Sequence, residues 1–378
     1  MSLASNLRDR MVCSAHREAA GFPIDADQVL AALTMGIGRP GRLGRSLIYG
    51  AKGVISVARH HRELRGETAI AAAMLAAART GCDIRDFRSM RRNHIGSLEY
   101  LHRIVPRPRR REYREWNNCA VGAGLVNDKW NCNRVLTEGG LPAPEQHRID
   151  SRCLITESGP DGSVVLHGSR LEPGRPLVLK GRLGLQGEAI WMGVSSDTEP
   201  ASRRESELFG RINSLLRADQ LVAEERLAPA AWFRDQGDTA LPTIRVVTSK
   251  LSGVTEILGM VLFRGFPGAI VVHRRAGGIA HPLLPDGTWG RGADKDGRFR
   301  GSCDCPIDDH MRSELERICE RAHDLFPCVG TIGWDVGWSS RGFFLLEGNP
   351  NWGMDVPQFL PGRPLLGHFR ASRFRESW

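Results

Sequence analysis

The chain has 378 residues, of which 41% are hydrophobic and 25% charged, so a real core can form and wholesale disorder is excluded. Its longest apolar run, residues 69–78, is too short for a membrane span, which needs about 20 residues. The formal charge of +9 is uneven: residues 1–119 hold 21 Lys+Arg against 11 Asp+Glu, and the remainder holds 31 against 32. A basic third can meet a polyanion, an anionic surface or an acidic partner. The length suggests two or three lobes. Nine cysteines without regular spacing argue against a disulfide scaffold. Arg8, Asp9 and Arg10 stand where a secretory signal needs apolar residues, so a soluble, cytoplasmic protein is expected.

The first third reads as helices over residues 25–35, 50–65 and 67–79, the last Ala-rich and buried. Residues 103–114 carry six arginines around Pro106 and Pro108, which break a helix and mark a boundary. This run is expected to be a solvated linker and not a nucleic-acid site. Tyr113 and Trp116 alone are there to stack on bases. Gly122-Ala123-Gly124 lacks a third, helix-opening glycine and reads as a loop.

From residue 120 onward strands and helices alternate. Asn127 is expected to cap a helix that runs to Glu138 and stops at Gly139-Gly140, with Pro142 and Pro144 behind. Residues 176–180 and 189–194 read as strands around a glycine-rich turn, 206–216 as an amphipathic helix and 220–224 as a strand. Residues 243–248, 256–263 and 269–273 read as an antiparallel meander, 310–325 as a helix, and 330–336 with 342–347 as a hairpin. The class is α+β with mostly antiparallel sheets.

Three stretches carry chemistry. In residues 333–353 the turn Ser339-Ser340-Arg341-Gly342 joins two strands, and pairing centred on it puts Asp335 opposite the region of Glu347. Period-two alternation puts Glu347 and Asn349 on one face, so two charged oxygen ligands and one neutral ligand converge. Magnesium that also carries substrate phosphates is held this way. Second, Leu177-Val178-Leu179-Lys180 delivers a lysine into a turn with Gly181, Gly184 and Gly187. Glycines let backbone N–H groups approach phosphate oxygens, and the lysine supplies a point charge. Third, Leu221-Val222-Ala223-Glu224-Glu225-Arg226-Leu227 is a strand ending in paired carboxylates, then a loop with Pro229. This is the form of a hinge whose backbone reads an adenine edge, and equally of a surface ion-pair strand. His273 and His281 flank a glycine loop and are candidates for a base acting on an amine. Arg264, Arg274 and Arg275 are candidates for a bidentate carboxylate clamp. Cys303-x-Cys305 has the wrong spacing for a zinc knuckle and no second pair.

In this order the three stretches resemble the ATP-grasp superfamily, and more narrowly the sugar-transfer-associated ATP-grasp proteins encoded near polysaccharide genes. Asn127-Asp128-Lys129-Trp130, Ile244-Arg245-Val246, Ala276-Gly277-Gly278-Ile279, and Gly333-Trp334-Asp335 with Glu347-Gly348-Asn349 also carry the resemblance, which covers residues 121–367. It implies two α+β lobes gripping ATP: residues 120–223 with a glycine-rich lid and residues 224–378 with the metal site. A basic, mainly helical region, residues 1–119, precedes them. Residue by residue, it implies Lys129 and Lys180 on the ATP phosphates, with Gly184 and Gly187 closing over them. Glu224 and the backbone near Leu227 hold the adenine, and Arg245 reaches the transferred phosphoryl group. Asp335, Glu347 and Asn349 bind two magnesium ions, with manganese as a substitute, while Arg264, His273, Arg275, Gly277 and Gly278 face the acceptor. The chain departs from the family in having His273 and Arg275 where Asn and His are usual, and no ribose-binding carboxylate follows the hinge in residues 229–232.

The activity implied is that of an ATP-dependent, ADP-forming carboxylate–amine ligase working through an acyl phosphate. Its partners are ATP, a carboxylate and an amine acceptor, with a saccharide, a uronic acid or a small amino-acid-like molecule as substrate. Two other classes stand beside it. A non-catalytic nucleotide-binding module would lack a metal ligand, and all three are present here. A polyanion-binding protein would use residues 1–119, with affinity that falls steeply with salt.

Overall fold

The computed structural model describes residues 42–60, 67–92, 98–149, 153–157, 164–167, 171–183, 190–196, 214–215, 220–250, 253–265, 269, 272, 278–294, 301, 303–354, 357–358 and 364–371. The expected helix over 25–35, the glycine-rich turn beyond residue 183, most of the helix over 206–216 and most of the strand over 269–273 lie outside these residues. The chain divides into two compact units, one of residues 1–116 with 353–378 and one of residues 117–352. No helix among the described residues is long and apolar enough to cross a membrane.

The first unit is helical: α1 (Arg42–Arg59), α2 (Glu67–Thr80), α3 (Ile84–Arg92) and α4 (Arg110–Asn117), with a short helix at Leu366–Ala371. The Ala-rich α2 buries Ala73, Met74, Ala76 and Ala77 against Val54 and Val57 of α1 and Phe87 of α3. The arginine run is a solvated linker only in part: Arg103 and Arg111 are exposed, but the residues between them are folded in. Pro106 precedes and Pro108 lies within a 3-10 turn at Arg107–Arg109 that leads into α4. Arg110 is buried on Asp86, and Arg109 lies over the rings of Tyr49 and Tyr113 at 5.7 and 5.2 Å. Ion pairing and cation–π contact draw these side chains inward, which composition alone does not reveal.

The second unit starts with α5 (Ala120–Asn127) and α6 (Lys129–Glu138). Gly122 and Gly124 therefore stand in a helix and not a loop, because Cys119 caps α5, its Sγ accepting from Gly122 N at 3.2 Å. Asp128, not Asn127, caps α6: its carboxylate accepts from Asn131 N at 3.2 Å, and the extended backbone of Asp128 separates the two helices. Gly139 ends α6 as expected.

Six strands form one sheet: β1 (Gln146–Arg148), β2 (Leu154–Glu157), β3 (Val164–His167), β4 (Pro176–Gly181), β5 (Ile190–Ser196) and β6 (Leu221–Glu225), in the order β1-β6-β4-β5-β3-β2. Only β3 and β5 run parallel. Leu177 and Leu179 of β4 join Leu221 and Ala223 of β6 in its core. By alternation Lys180 and Glu224 take the opposite face.

After the short helix α7 (Ala231–Asp235) come β7 (Thr243–Ser249), β8 (Glu256–Arg264) and β9 (Ile279–Pro282), then helix α8 (Asp309–Asp324) and the hairpin of β10 (Thr331–Ser339) and β11 (Gly342–Asn349). These five strands are antiparallel in the order β11-β10-β7-β8-β9. The third strand of the meander is thus β9. Ile332, Trp334, Val336 and Trp338 of β10 and Ile244 and Val246 of β7 bury one face against Leu315, Ile318, Cys319 and Ala322 of α8. The other face carries the charges.

Candidate functional site

A one-residue irregularity builds the charged face. Near the turn the hairpin pairs Ser339 with Gly342 and Val336 with Leu345, but the next pair is Asp335 with Glu347. Leu346 is the extra residue of a β-bulge. Phe343 and Leu345 lie in the core, and unbroken alternation would send Glu347 to that same face. The bulge re-aims Glu347 to the side of Asp335. Gly348 then falls on the core face opposite Trp334, where an added Cβ would stand 2.6 Å from Val126 of α5 and 2.9 Å from the Trp334 ring. Only a glycine lets α5 and the Trp334 ring close over that position.

Arg245 of β7 is the register partner of Asp335 on its other side. Its guanidinium donates from Nε to Asp335 Oδ1 at 2.5 Å and from Nη2 to Oδ2 at 2.7 Å. Asn349 Nδ2 donates to Asp335 Oδ2 and to Glu347 Oε1, both at 3.1 Å. Lys129, at the first turn of α6, reaches Glu347 Oε2 at 3.2 Å. The structure thus brings Lys129, Arg245, Asp335, Glu347 and Asn349 together.

The two carboxyls are driven apart in acidity. Burial pushes Asp335 up, and adjacent Glu347 adds to this; Arg245 only partly opposes them, and the group stands near 6. Burial also raises Glu347, but Lys129, Lys180 and the Asn349 amide outweigh it and bring it down to about 2. Burial opposes the charge on Arg245, and Asp335 more than restores it. Lys180 of the six-stranded sheet and Lys129 therefore both act on the Glu347 carboxylate.

Lys180 itself is buried and donates to Glu224 Oε1 at 2.5 Å, while Gln146 Nε2 donates to Glu224 Oε2 at 2.8 Å. Val178 pairs with Glu224 and Lys180 with Val222, so the ion pair runs diagonally between adjacent strands. Glu224 is a buried partner of the lysine and not a residue of a surface ion-pair strand. Leu227 is buried just beyond β6. Gly278 is buried before β9, and Gly184, Gly187, His273, Arg275 and Gly277 lie outside the described residues. Arg264 gives its guanidinium to Asp238 at 3.0 and 3.1 Å and stacks over Trp232 at 5.0 Å. Its fork is occupied within the chain. His281 is buried with Nδ1 on Gly290 O at 3.1 Å, and burial holds its pKa below the usual imidazole value.

Asp128, Arg182 and Gln146 are the residues that sequence reasoning missed. Arg182 Nε and Nη2 donate to the Asp128 carboxylate at 2.7–2.9 Å, and Lys129 N donates to Arg182 O at 3.1 Å. This latch holds the start of α6, and so Lys129, beside the end of β4. Asp128 was legible as a second capping residue next to Asn127; nothing local points to Arg182 or Gln146.

The donor set suits a hard divalent cation: two carboxylates and an amide oxygen from neighbouring strand ends, with phosphate or water completing the shell. Among the described residues no group of three His, Cys, Asp or Glu side chains is placed to hold a metal. The set consists of two acids and an amide.

No family model matches the chain, and no curated protein matches it. It is similar to the solved structure of VanG D-Ala:D-Ser ligase from Enterococcus faecalis at 10% identity and TM-score 0.40, over 66% of this chain and 60% of that one. It is similar to an L-amino acid ligase from Bacillus licheniformis at 12% identity and TM-score 0.36, over 62% of this chain and 42% of that one. It is also similar to the ATP-grasp ligase PsnB complexed with minimal precursor at 14% identity and TM-score 0.36, over 68% of this chain and 63% of that one. The chain spans less than two thirds of the length of each. At these identities and scores the likeness is distant, and function is read below from the chain's own residues.

Proposed function

We propose that the chain is an ATP-grasp ligase that joins a carboxylate to an amine and releases ADP and phosphate. The observation that carries this is the paired Asp335 and Glu347 beside Asn349, with Lys129, Lys180 and Arg245 converging on the same two carboxylates. Such a concentration of cations around two carboxylates suits a phosphorylated nucleotide and its counter-ion. In this reading the two gripping lobes are residues 120–223 and 224–378, and the basic, mainly helical residues 1–119 precede them.

Asp335, Glu347 and Asn349 would hold magnesium, which when bound neutralises phosphate charge. Lys129 and Lys180 exchange their carboxylate partners for phosphate oxygens as the nucleotide enters. Arg245 turns from Asp335 toward the transferring phosphoryl group, where charge builds in the transition state. The substrate carboxylate attacks the γ-phosphorus, giving an acyl phosphate and ADP, and the amine displaces phosphate. The region that includes Gly184 and Gly187 would shield the acyl phosphate from water. The narrower resemblance favours a saccharide or uronic acid, in cytoplasmic polysaccharide biosynthesis, with a small amino-acid-like acid as the alternative.

The test is ADP release from Mg-ATP across a panel of uronic acids, amino acids and dipeptides, each with and without an amine. ADP release that requires one acid, with phosphate and an amide as products, supports the reading. ATP turnover indifferent to every acid and amine would overturn it.

A further inference from the structure

We propose that Cys119 and Cys328 form a reversible thiol–disulfide pair that is oxidised by small-molecule disulfides. This rests on residues outside the nucleotide site. Six of the eight described cysteines are buried, and Cys119 and Cys328 are the two that are only partly covered.

The backbone brings them face to face. Asn118 and Val329 form an antiparallel bridge, Gly330 N donates to Asn117 O at 2.8 Å, and Cys119 N donates to Cys328 O at 3.0 Å. Cys119 and Cys328 thus stand next to that bridge and share one backbone hydrogen bond, and in a regular antiparallel ladder residues so placed have Cα atoms about 5.5 Å apart. That lies inside the window of about 4.4–6.8 Å that a disulfide spans without moving the backbone.

The sulfurs also converge. An ideal Cβ on Gly122 would stand 2.5 Å from Cys328 Sγ and 3.1 Å from Cys119 Sγ, so both thiols crowd into the space left by the absent side chain. The Cys328 thiol is raised by burial and by the neighbouring Cys119 thiol. Gly122 N–H holds the Cys119 sulfur in place.

The chemistry balances as two exchanges. One cysteine thiolate attacks a small disulfide, forming a mixed disulfide and expelling one small thiolate. The other cysteine thiolate attacks the mixed disulfide at the protein sulfur, closing the Cys119–Cys328 bond and expelling the second small thiolate. The protein loses two electrons and two protons, and the small disulfide becomes two thiols. The bond fastens the cap of α5 to the segment entering β10. Closing so long a loop restrains the unfolded chain.

The experiment uses the full chain, reduced, freed of reductant and incubated with oxidised glutathione. Digestion without reduction should yield a cross-linked peptide containing Cys119 and Cys328, lost on adding dithiothreitol. The oxidised protein should melt at a higher temperature than the reduced protein. In Cys119→Ser, Cys328 should instead retain glutathione. Gly122→Ala, whose methyl group would meet Cys328 Sγ, should lower the yield of the cross-link while circular dichroism shows an intact fold. Stable glutathione on both cysteines of the parent with no cross-linked peptide would overturn the pair. So would an undiminished cross-link in Gly122→Ala.

Discussion

Both units bury acid–base pairs, but they use them differently. In the helical unit Asp86 is fully buried; its carboxylate accepts from Arg110 Nη2 at 3.1 Å and Arg107 N at 3.0 and 3.3 Å, while its backbone N–H donates to Asp83 Oδ1 at 3.3 Å. Asp83 N in turn donates back to Asp86 Oδ2 at 3.1 Å. Three donors, from Asp83, Arg107 and Arg110, take up the Asp86 carboxylate, so the knot holds structure. In the strand unit Asp335 and Glu347 are packed side by side, and each cation they meet comes from another element. Two crowded carboxylates whose acidities are driven apart by their neighbours are a candidate binding site. A buried charge is a structural tie where donors saturate its lone pairs and a candidate binding group where two like charges share them.

The largest effect should separate these roles. Glu347→Gln should reduce ADP formation by about 10³-fold, on the scale of losing a main electrostatic contact in the transition state, while circular dichroism shows a folded protein. Retained turnover in this variant would break the distinction. Asp86→Ala should cost about 3–5 kcal/mol of stability, because it strands Arg110 as a buried, unpaired charge. Chemical denaturation followed by probes in each unit should register this in the helical unit.

The two units should also respond to pH in opposite directions. Burial raises Asp86 to about 6, against partial relief by Arg110, so the folded state binds its proton more tightly than the unfolded state does. Its contribution is complete below about pH 4 and falls by about 3 kcal/mol as pH rises through 6. His323 is fully buried with Nε2 donating to Val329 O at 2.6 Å and Nδ1 accepting from Thr248 Oγ1 at 2.8 Å. Burial lowers it to about 4, so the unfolded state binds the proton more tightly. Its contribution is complete above about pH 6.5 and falls by about 3 kcal/mol as pH drops through 4. Hydrogen exchange of α3 and α8 between pH 4 and 7, in the parent, Asp86→Asn and His323→Gln, reads the two slopes. Slopes of equal sign would remove the contrast.

The smallest effect concerns the pair that links structure and binding. Lys180→Met should weaken ATP binding by roughly one to two orders of magnitude, or about 1.5–3 kcal/mol. It should also lower stability without nucleotide, because Glu224 loses its buried cation. Lys180→Met combined with Glu224→Gln should recover the stability but not the affinity. Calorimetry with Mg-ATP and melting of both variants check this; parent-like affinity in either variant would leave Lys180 with a structural role alone.

What the sequence by itself determined was local. Alternation and the turn at residues 339–342 placed a hairpin and put Asp335 near Glu347, because strand period and turn geometry are short-range properties. The apolar strand before Lys180 and the glycines ending α6 were legible for the same reason. Tertiary structure decided the bulge at Leu346, which turns Glu347 from the core to the charged face, because packing of Gly348 against Trp334 and Val126 selects it. It also decided that Arg245 neighbours Asp335, that Lys129 reaches Glu347, that Arg182 grips Asp128 and that Cys119 meets Cys328. Each of these joins residues separated by 54 to more than 200 positions, and no periodicity in a single chain records a contact between strands or helices that only the packed core brings together.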